Sequence, residues 1–594
     1  MNIVQVIPIS SGLPAERLTY FSGKTLEPGA IVLVEVRKQS IPAVVVEVAP
    51  ANLHKTALRQ SSFRPKKLGP ILQPHFFSRP FLRAIEVTAN FFLVPPGAIV
   101  ETIIPINLIL NQKNLVGPEI KKKQSEKNNF PSERSALQQP RSERITFYKG
   151  LIRSEFARGR SVFLCLPIGV AVERWQANLS KGIEEYTHPF AGASASTKLL
   201  ERAKRAISER HPILIIGTPR FLGLPRTDLG TIIVENEASP YYKLTRRPYL
   251  DIRRLAEELA IAHGWQLVFG DTILRAETRQ RLETGGLIPG AAIKQRLFSP
   301  VTAEIIQSPP PVGKTTPAIS GPVAEIIERG RQAGERIFIL AARRGLAPIT
   351  TCDDCGRLVA CQHCQAPMVL HPARETKPGE ERQNFFLCHQ CEERRPAKEA
   401  CRYCSSWRLR PRGRGASEVV TEAKQRWPDS PIYEVSSDAT TTTRQVSTVM
   451  TQFQKTGGLL VGTELAMAFL NQSPAISLVL GLDSLFTVPD FRLNEKIFHL
   501  LSIIREETEQ RLVIETRNPD QPIFRHLVSG LLGEFEREEL AARKTFGYPP
   551  FTLLVKVSLT GSRDLVETEM KKFDSQFAEW KPDIFDAWGG DRNK

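Results

Sequence analysis

No stretch of the 594-residue chain is long and apolar enough to span a bilayer. The longest apolar run, "SVFLCLPIGVAV" (161–172), is too short and contains Pro167. The N-terminus "MNIVQVIPISSGLPAER" lacks a basic region and an apolar core, so no secretory signal is expected. Cysteine is scarce outside one window. Eight of the nine fall between 352 and 404, and the ninth, Cys165, sits in an apolar strand pattern as plain core. Acid is short against base, 63 Asp and Glu to 80 Lys and Arg, giving a formal net charge of +17. A membrane partner is therefore not expected. The charge points to a polyanion, and in a cytoplasmic, nucleoid-associated protein that polyanion is nucleic acid.

Residues 1–104 read as β-rich, with "GAIVLVEVRKQSIPAVVVEVAP" (29–50) giving two strands around a short polar connection. "RPFLRAIEVTANFFLV" (79–94) has helical spacing and stops at Pro95-Pro96-Gly97. The segment 111–144 is polar, Lys-rich at Lys121-Lys122-Lys123 and nearly free of apolar periodicity, which is the composition of a flexible linker. From 144 to about 280, helical patterns alternate with β runs, among them "SVFLCLP", "PILIIGTP", "GTIIVENEA" and "WQLVFGD". This alternation predicts a parallel sheet covered by helices. A Pro-rich break, "SPPPVGKTTP" (308–317), precedes a second α/β stretch that the cysteine window interrupts.

The cysteines form four CxxC knuckles: Cys352/Cys355, Cys361/Cys364, Cys388/Cys391 and Cys401/Cys404. Two thiolates in one tight turn supply half of a tetrahedral site, so eight make two sites. Disulfides are disfavoured in a reducing compartment. Iron–sulfur clusters also take four thiolates, but regular knuckles favour zinc. Sites saturated by four thiolates leave no position for water, so the two zinc ions are expected to be structural. The module runs on into "SSWRLRPRGRG" (405–415), where Trp407 sits among Arg408, Arg410, Arg412 and Arg414 without an acid. Arg on phosphate and Trp on a base suit single-stranded or forked nucleic acid, and a solvated turn is the plain alternative.

Two α/β segments, a cysteine insertion in the second and a basic charge suggest a helicase-like pair of lobes. In detail the chain resembles the primosomal protein N′ (PriA) family of replication restart proteins. The resemblance rests on "ERLTYFSGKTLEPGAIVLVEVRKQSIPAVVVEV" (16–48) and "ILAARRGLAPITTCDDCGRLVACQHCQAPMVLH" (339–371). "LVGTELAMAFL" (460–470), "LVLGLDSLFTVPDFRLNEKIFHLL" (478–501), "VIETRNPDQPIFRHL" (513–527) and "FEREELAARKTFGYPPF" (535–551) follow in family order. It implies an α/β fold of two RecA-like parallel-sheet lobes with a β-rich N-terminal DNA-binding domain and a zinc insertion. The expected domains are a 3′-DNA-end-binding domain at 1–104 and a basic linker with a reduced or absent winged helix at 105–143. A degenerate lobe 1 follows at 144–285. Lobe 2 takes 286–350 and 417–530, around a two-zinc module at 351–416. A shortened C-terminal domain takes 531–594. The resemblance also implies nested metal sites: Cys352, Cys355, Cys401 and Cys404 on one ion, Cys361, Cys364, Cys388 and Cys391 on the other. In the implied DNA-binding domain, Tyr20 matches the family and Lys38 is a candidate contact. Leu18 and Thr19 replace an aromatic and an acid, which puts 3′-end capture in doubt.

The family is a superfamily 2 DNA helicase that recognises abandoned forks, and its ATP chemistry is where this chain departs. The phosphate loop should be Gly-rich and end in Gly-Lys-Thr. "PRSERITFYKGLI" (140–152) stands there instead, with Arg144 and Ile145 at the Lys and Thr positions. Gly23-Lys24-Thr25 and Gly313-Lys314-Thr315 are read as chance. The Mg²⁺ motif Asp-Glu-Glu-His becomes Glu235-Asn236-Glu237-Ala238, and an amide cannot act as a base. Gly-Ser-Ala-Thr-Pro becomes "GDTIL" (270–274), and the family's Lys-Gly-His-Asp-Phe becomes "AFLNQ" (468–472). The arginines that would steady a transferring phosphate fall near Glu507 and Gln510 in "IIREETEQ" (503–510). ATP and Mg²⁺ are therefore not expected to be used.

Three readings follow. The first is a restart protein without ATPase or helicase activity, a monomer that binds forks and single strands and meets other primosome or replication proteins. The second is an active ATP-dependent 3′–5′ helicase working through other residues. The third is a zinc-ribbon nucleic-acid binder unrelated to restart.

Overall fold

The computed structural model describes the chain except residues 14–15, 38, 52–64, 111–132, 193–196, 297–298, 309–316, 342–348, 353, 356, 358, 363–367, 372–384, 389–392, 398–399, 413–415, 437–441, 471, 488–489, 558, 560–561 and 581–594. It divides into two compact units, Met1–Lys294 and Gln295–Lys594. Among the described residues no single helix is long and apolar enough to cross a membrane.

The first unit opens with strands β1 (Asn2–Pro8), β2 (Leu18–Ser22), β3 (Ile31–Val36), β4 (Gln39–Pro50), β5 (Lys66–Lys67) and β6 (Ile71–Gln73). They form one sheet in the order β5-β2-β1-β4-β3-β6, antiparallel except where β5 joins β2. The β-branched runs anticipated within 29–50 are β3 and β4, whose Ile31, Val32, Val44 and Val45 are fully buried. The helix Arg79–Phe92 starts where Ser78 accepts from the Phe81 N–H at 3.2 Å. It ends at Leu93 in the left-handed region (φ 54°). Two shorter helices, Pro96–Ile103 and Ile106–Leu110, follow.

A second sheet comes next. Its strands are β7 (Arg134–Gln138), β8 (Ser161–Cys165), β9 (Thr187–Phe190), β10 (Leu214–Gly217), β11 (Leu229–Glu235), β12 (Gln266–Asp271) and β13 (Ile288–Pro289). The order is β13-β7-β12-β11-β8-β10-β9, parallel throughout. Every residue of β8, β10 and β11 is buried, the pattern of a parallel sheet covered on both faces.

Two expected boundaries move. The proposed linker 105–143 holds a helix at Ile106–Leu110, strand β7 and the start of the helix Arg141–Ala157. The strand escapes a pattern search because "RSALQ" has only two large or small apolar residues. Its Ser135 and Gln138 are nonetheless buried, bonding to Leu267 O and Lys294 O across the sheet. Likewise 286–294, assigned by sequence to lobe 2, supplies β13 to the first unit's sheet. Lys121-Lys122-Lys123 and Gly313-Lys314-Thr315 lie outside the described residues.

In the second unit, β14 (Thr302–Gln307) and β15 (Ile337–Ala341) precede the cysteine module, and β21 (Ile432–Val435), β22 (Leu459–Gly462), β23 (Ile476–Leu480) and β24 (Arg511–Thr516) follow it. These six form another wholly parallel sheet, β14-β24-β23-β15-β22-β21. The module is thus an insertion between two strands that lie apart in sequence but in one sheet. It consists of a β16 (Ile349–Cys352)/β20 (Leu409–Arg412) pair and a small sheet of β17 (Val369–His371), β18 (Phe385–Leu387) and β19 (Arg394–Pro396). The helix Leu532–Thr545, placed by sequence in a C-terminal domain, packs within this unit. Phe535 stacks on Phe498 with centroids 3.9 Å apart, and Arg543 bonds to Glu495 and Glu539.

Gly97 lets the helix Pro96–Ile103 lie directly on β1: a Cβ there would come 1.8 Å from the Pro8 carbonyl oxygen. Gly97→Ala is expected to cost about 1–3 kcal/mol by overpacking. Gly150→Ala, at a helical site with no atom within 4 Å of the added carbon, should instead gain about 1 kcal/mol. Urea denaturation of the two variants checks the contrast.

Candidate functional site

The carboxyl ends of β7, β11 and β12 meet at the centre of the first unit's sheet, where an open α/β sheet binds its ligand. A phosphate loop would run from β7 into the next helix. Here only Gln139 and Pro140 separate β7 from the helix Arg141–Ala157. Proline has no N–H, Gln139 N–H donates to Asp271 O, and the N–H groups of Glu143 and Arg144 donate to Pro140 O. A turn this short has no arc of free amides to wrap a phosphate.

The place is filled from within. Arg144 is 2% exposed and grips Glu235, which is fully buried: Nε reaches its two oxygens at 3.1 and 3.2 Å and Nη2 reaches Oε1 at 2.7 Å. Nη1 donates to Thr272 Oγ1 at 2.8 Å. Tyr148, one turn along the helix from Arg144, donates its hydroxyl to Glu235 Oε2 at 2.6 Å. Burial pushes the Glu235 carboxyl up from its usual range, opposed by the adjacent guanidinium. Burial and the Glu235 charge push the Tyr148 hydroxyl well up, which keeps it a donor. Gly270 leaves room for that hydroxyl, which would lie 1.8 Å from any Cβ there.

The other acids of the cluster are also engaged. Glu237 is buried and accepts from Arg275 N–H at 2.7 Å and Nε at 2.8 Å. Asp271 accepts from the backbone of Ala238 and Thr272. Asn236 is left-handed (φ 53°), a conformation its short polar side chain tolerates. Tyr242 of the family's "YK" bridges the carbonyls of Cys165 and Glu235 at 2.8 and 2.7 Å. Ile145 packs on the core beneath the helix. Arg144 therefore faces a buried carboxylate rather than an open pocket. Sequence reasoning missed Tyr148, Thr272, Arg275 and Gly270. The one available signal was the Arg144/Tyr148 spacing, which puts both on one helix face.

In the second unit Glu507 follows the helix Leu493–Glu506 and is buried. Gln510 bonds through its backbone to Ala475 O and Thr302 N. The cation in this turn, Arg505, is turned inward, donating to Leu527 O at 2.6 Å and Val301 O at 3.1 Å. Burial holds its guanidinium below its ordinary range.

The Sγ atoms of Cys352, Cys355, Cys401 and Cys404 all lie within 4.8 Å of one another. Cys352 and Cys404 are 3.5 Å apart, Cys355 and Cys401 3.6 Å. Those distances exclude disulfides, whose sulfurs are about 2.05 Å apart. They approach the ~3.8 Å between thiolates on a tetrahedral ion with 2.3 Å bonds. The four residues can thus hold one metal ion. Of the second set, Cys361 and Cys388 are buried in one small core with Met368 and Phe386, while Cys364 and Cys391 lie outside the described residues.

The DNA candidates separate. Tyr20 is 5% exposed, packed among Val4, Val6 and Val32, with its hydroxyl donating to Glu35 O at 3.1 Å. It is buried in the core, because the alternation of β2 turns it inward. Trp407 is 82% exposed. Arg408 pairs with Asp354. Arg410 and Arg412 pair through the backbone with Thr351 and Ile349. Lys38 and Arg414 lie outside the described residues. Gly23-Lys24-Thr25 lies between β2 and β3, with no helix behind it.

Two parallel sheets of this order, with a cysteine insertion in the second, define a helicase-like protein built on RecA-like lobes. No family model matches the chain. Replication restart protein PriA of Chlamydia pneumoniae is 26% identical over 426 residues, 68% of this chain and 54% of that protein. PriA of Haemophilus influenzae is 24% identical over 440 residues, 72% and 58%. PriA of Rickettsia conorii is 24% identical over 599 residues, 95% and 88%. The chain is thus similar to replication restart protein PriA over 68–95% of its length. It spans just over half the length of the first two relatives. Among solved structures, the Mycobacterium smegmatis helicase Lhr aligns at 11% identity over 68% of this chain and 46% of its own, with a TM-score of 0.39.

Glu235→Gln leaves the Arg144 charge buried without its counter-ion and is expected to cost about 3–5 kcal/mol in urea denaturation. Replacing Arg144 and Glu235 together by apolar residues should cost clearly less than the sum of the single changes. For the cysteines, Cys352→Ser or Cys401→Ser should lower the bound metal by about one equivalent per chain in elemental analysis.

Proposed function

We propose that this chain is a replication restart protein that binds forked and single-stranded DNA without hydrolysing ATP. The observation that supports the reading most is the Arg144–Glu235 pair under a two-residue turn, at the end of the strand where the resemblance to PriA would put a phosphate loop. Each missing part, the phosphate loop, the base and the arginines, is needed for phosphoryl transfer, and removing one alone is already crippling. Similarity to replication restart protein PriA and the net charge of +17 support a DNA partner. In this reading the cysteines hold two structural zinc ions, other replication proteins dock on the lobes, and the protein works in the cytoplasm at the nucleoid.

Titration with a fluorescent ATP analogue and a fork-stimulated hydrolysis assay test the proposal. The expected result is no saturable nucleotide binding and no hydrolysis above the protein-free rate, with fork binding that falls steeply as salt rises. Hydrolysis stimulated by fork DNA would establish the active-helicase reading instead. Binding of plain duplex as tight as that of forks would favour a general zinc-ribbon binder. The double variant Arg144→Lys/Ile145→Thr is expected to gain no nucleotide binding, because it restores two side chains and not the loop.

A further inference from the structure

The outer cysteine cluster displays two aromatic rings, Trp407 and Tyr403. Its second knuckle is braced from both ends: Cys401 N–H donates to Ser406 O and Ser405 N–H to Cys401 O, both at 2.7 Å. Ser405 takes a left-handed conformation (φ 58°) that turns the chain out of the knuckle. Trp407 comes next, its carbonyl accepting from Leu409 N–H at 2.9 Å, and the chain then enters β20. The backbone on both sides of this tryptophan is thus tied down while its ring is 82% exposed.

A scattered exposed apolar residue needs no explanation. Trp407 differs in three respects. It is held on a tied turn next to a four-cysteine cluster able to hold a metal ion. A second ring, Tyr403, stands half-exposed four residues earlier with the Arg357 guanidinium 4.3 Å from its centroid. Residues 405–415 also contain four arginines and no acid. Rigid aromatic faces beside cations are what an unpaired strand requires, since every base has a π-face and every nucleotide a phosphate. A base inside a duplex is already stacked on both sides and has no face to offer.

We propose that Trp407 stacks on an unpaired base of a single DNA strand, with the Tyr403–Arg357 pair as a neighbouring stacking face. The inference rests on the DNA-binding reading and adds the Tyr403–Arg357 stacking face and the means by which an unpaired strand is told from a duplex. The test uses the full chain and two labelled probes, an oligothymidylate and a blunt duplex, followed by fluorescence anisotropy. Trp407→Ala should weaken oligothymidylate binding about ten-fold and leave duplex binding unchanged. Its plot of log affinity against log salt should keep the wild-type slope, because the ring neutralises no phosphate. Trp407→Phe, which keeps a stacking face, should retain most of the affinity. Unchanged oligothymidylate binding in Trp407→Ala, or an equal loss for both probes, overturns the stacking proposal alone. Failure of the wild-type chain to bind either probe overturns the DNA-binding reading and this inference with it.

Discussion

The ion pair between Arg144 and Glu235 holds together the part of the fold on which the rest is built. It joins the first helix after β7 to the end of β11, and through Thr272 to the segment after β12. Buried pairs of this kind add little net stability, because desolvating two charges offsets their attraction. What the pair supplies is position. With Glu235 gripped by Arg144 and by Tyr148, neither the strand end nor the helix start can drift. The counter-charge of this guanidinium is supplied by the chain itself.

Much of the architecture was legible because its signals are local. Apolar runs such as "PILIIG" and "GTIIVE" became fully buried central strands, and the four knuckles announced themselves by spacing. β7 was illegible because its polar residues are satisfied by distant partners, Leu267 and Lys294, that no window of sequence contains. The burial of Tyr20 was not legible for the opposite reason: a resemblance gives a residue's position, while strand alternation decides which way it faces. The site was half legible. The resemblance sets Arg144 against a Lys position and Glu235 against an Asp position. It does not show that the two bond to each other across 91 positions. Nor does it show that Gly270 is the price of seating Tyr148.

The second unit repeats the theme of cations turned inward. Arg505 serves as a cross-brace between layers, donating to two backbone carbonyls. Arg543 does the same for the last large helix through Glu495 and Glu539. Chemistry is thereby concentrated in the inserted module, where a compact four-thiol cluster replaces an extensive core. A module of a few short strands has too little apolar surface to order itself. The knuckles supply the missing constraint and, with it, a stiff mount for exposed rings.

Within the first unit the small antiparallel sheet and the large parallel one share a single hydrophobic core. Ile31 and Val44 belong to the same cluster as Phe163, Ile232 and Leu259. The helix Arg79–Phe92 packs on the helix Ile252–His263, and Ser78 bonds to His263 at 2.8 Å. Asp251, which caps that second helix, also clamps Arg253, and Arg253 holds the Glu237 carbonyl. Each step along this line is a buried contact or a hydrogen bond, so a displacement of the helix Arg79–Phe92 is handed on, step by step, to the carboxyl end of β11.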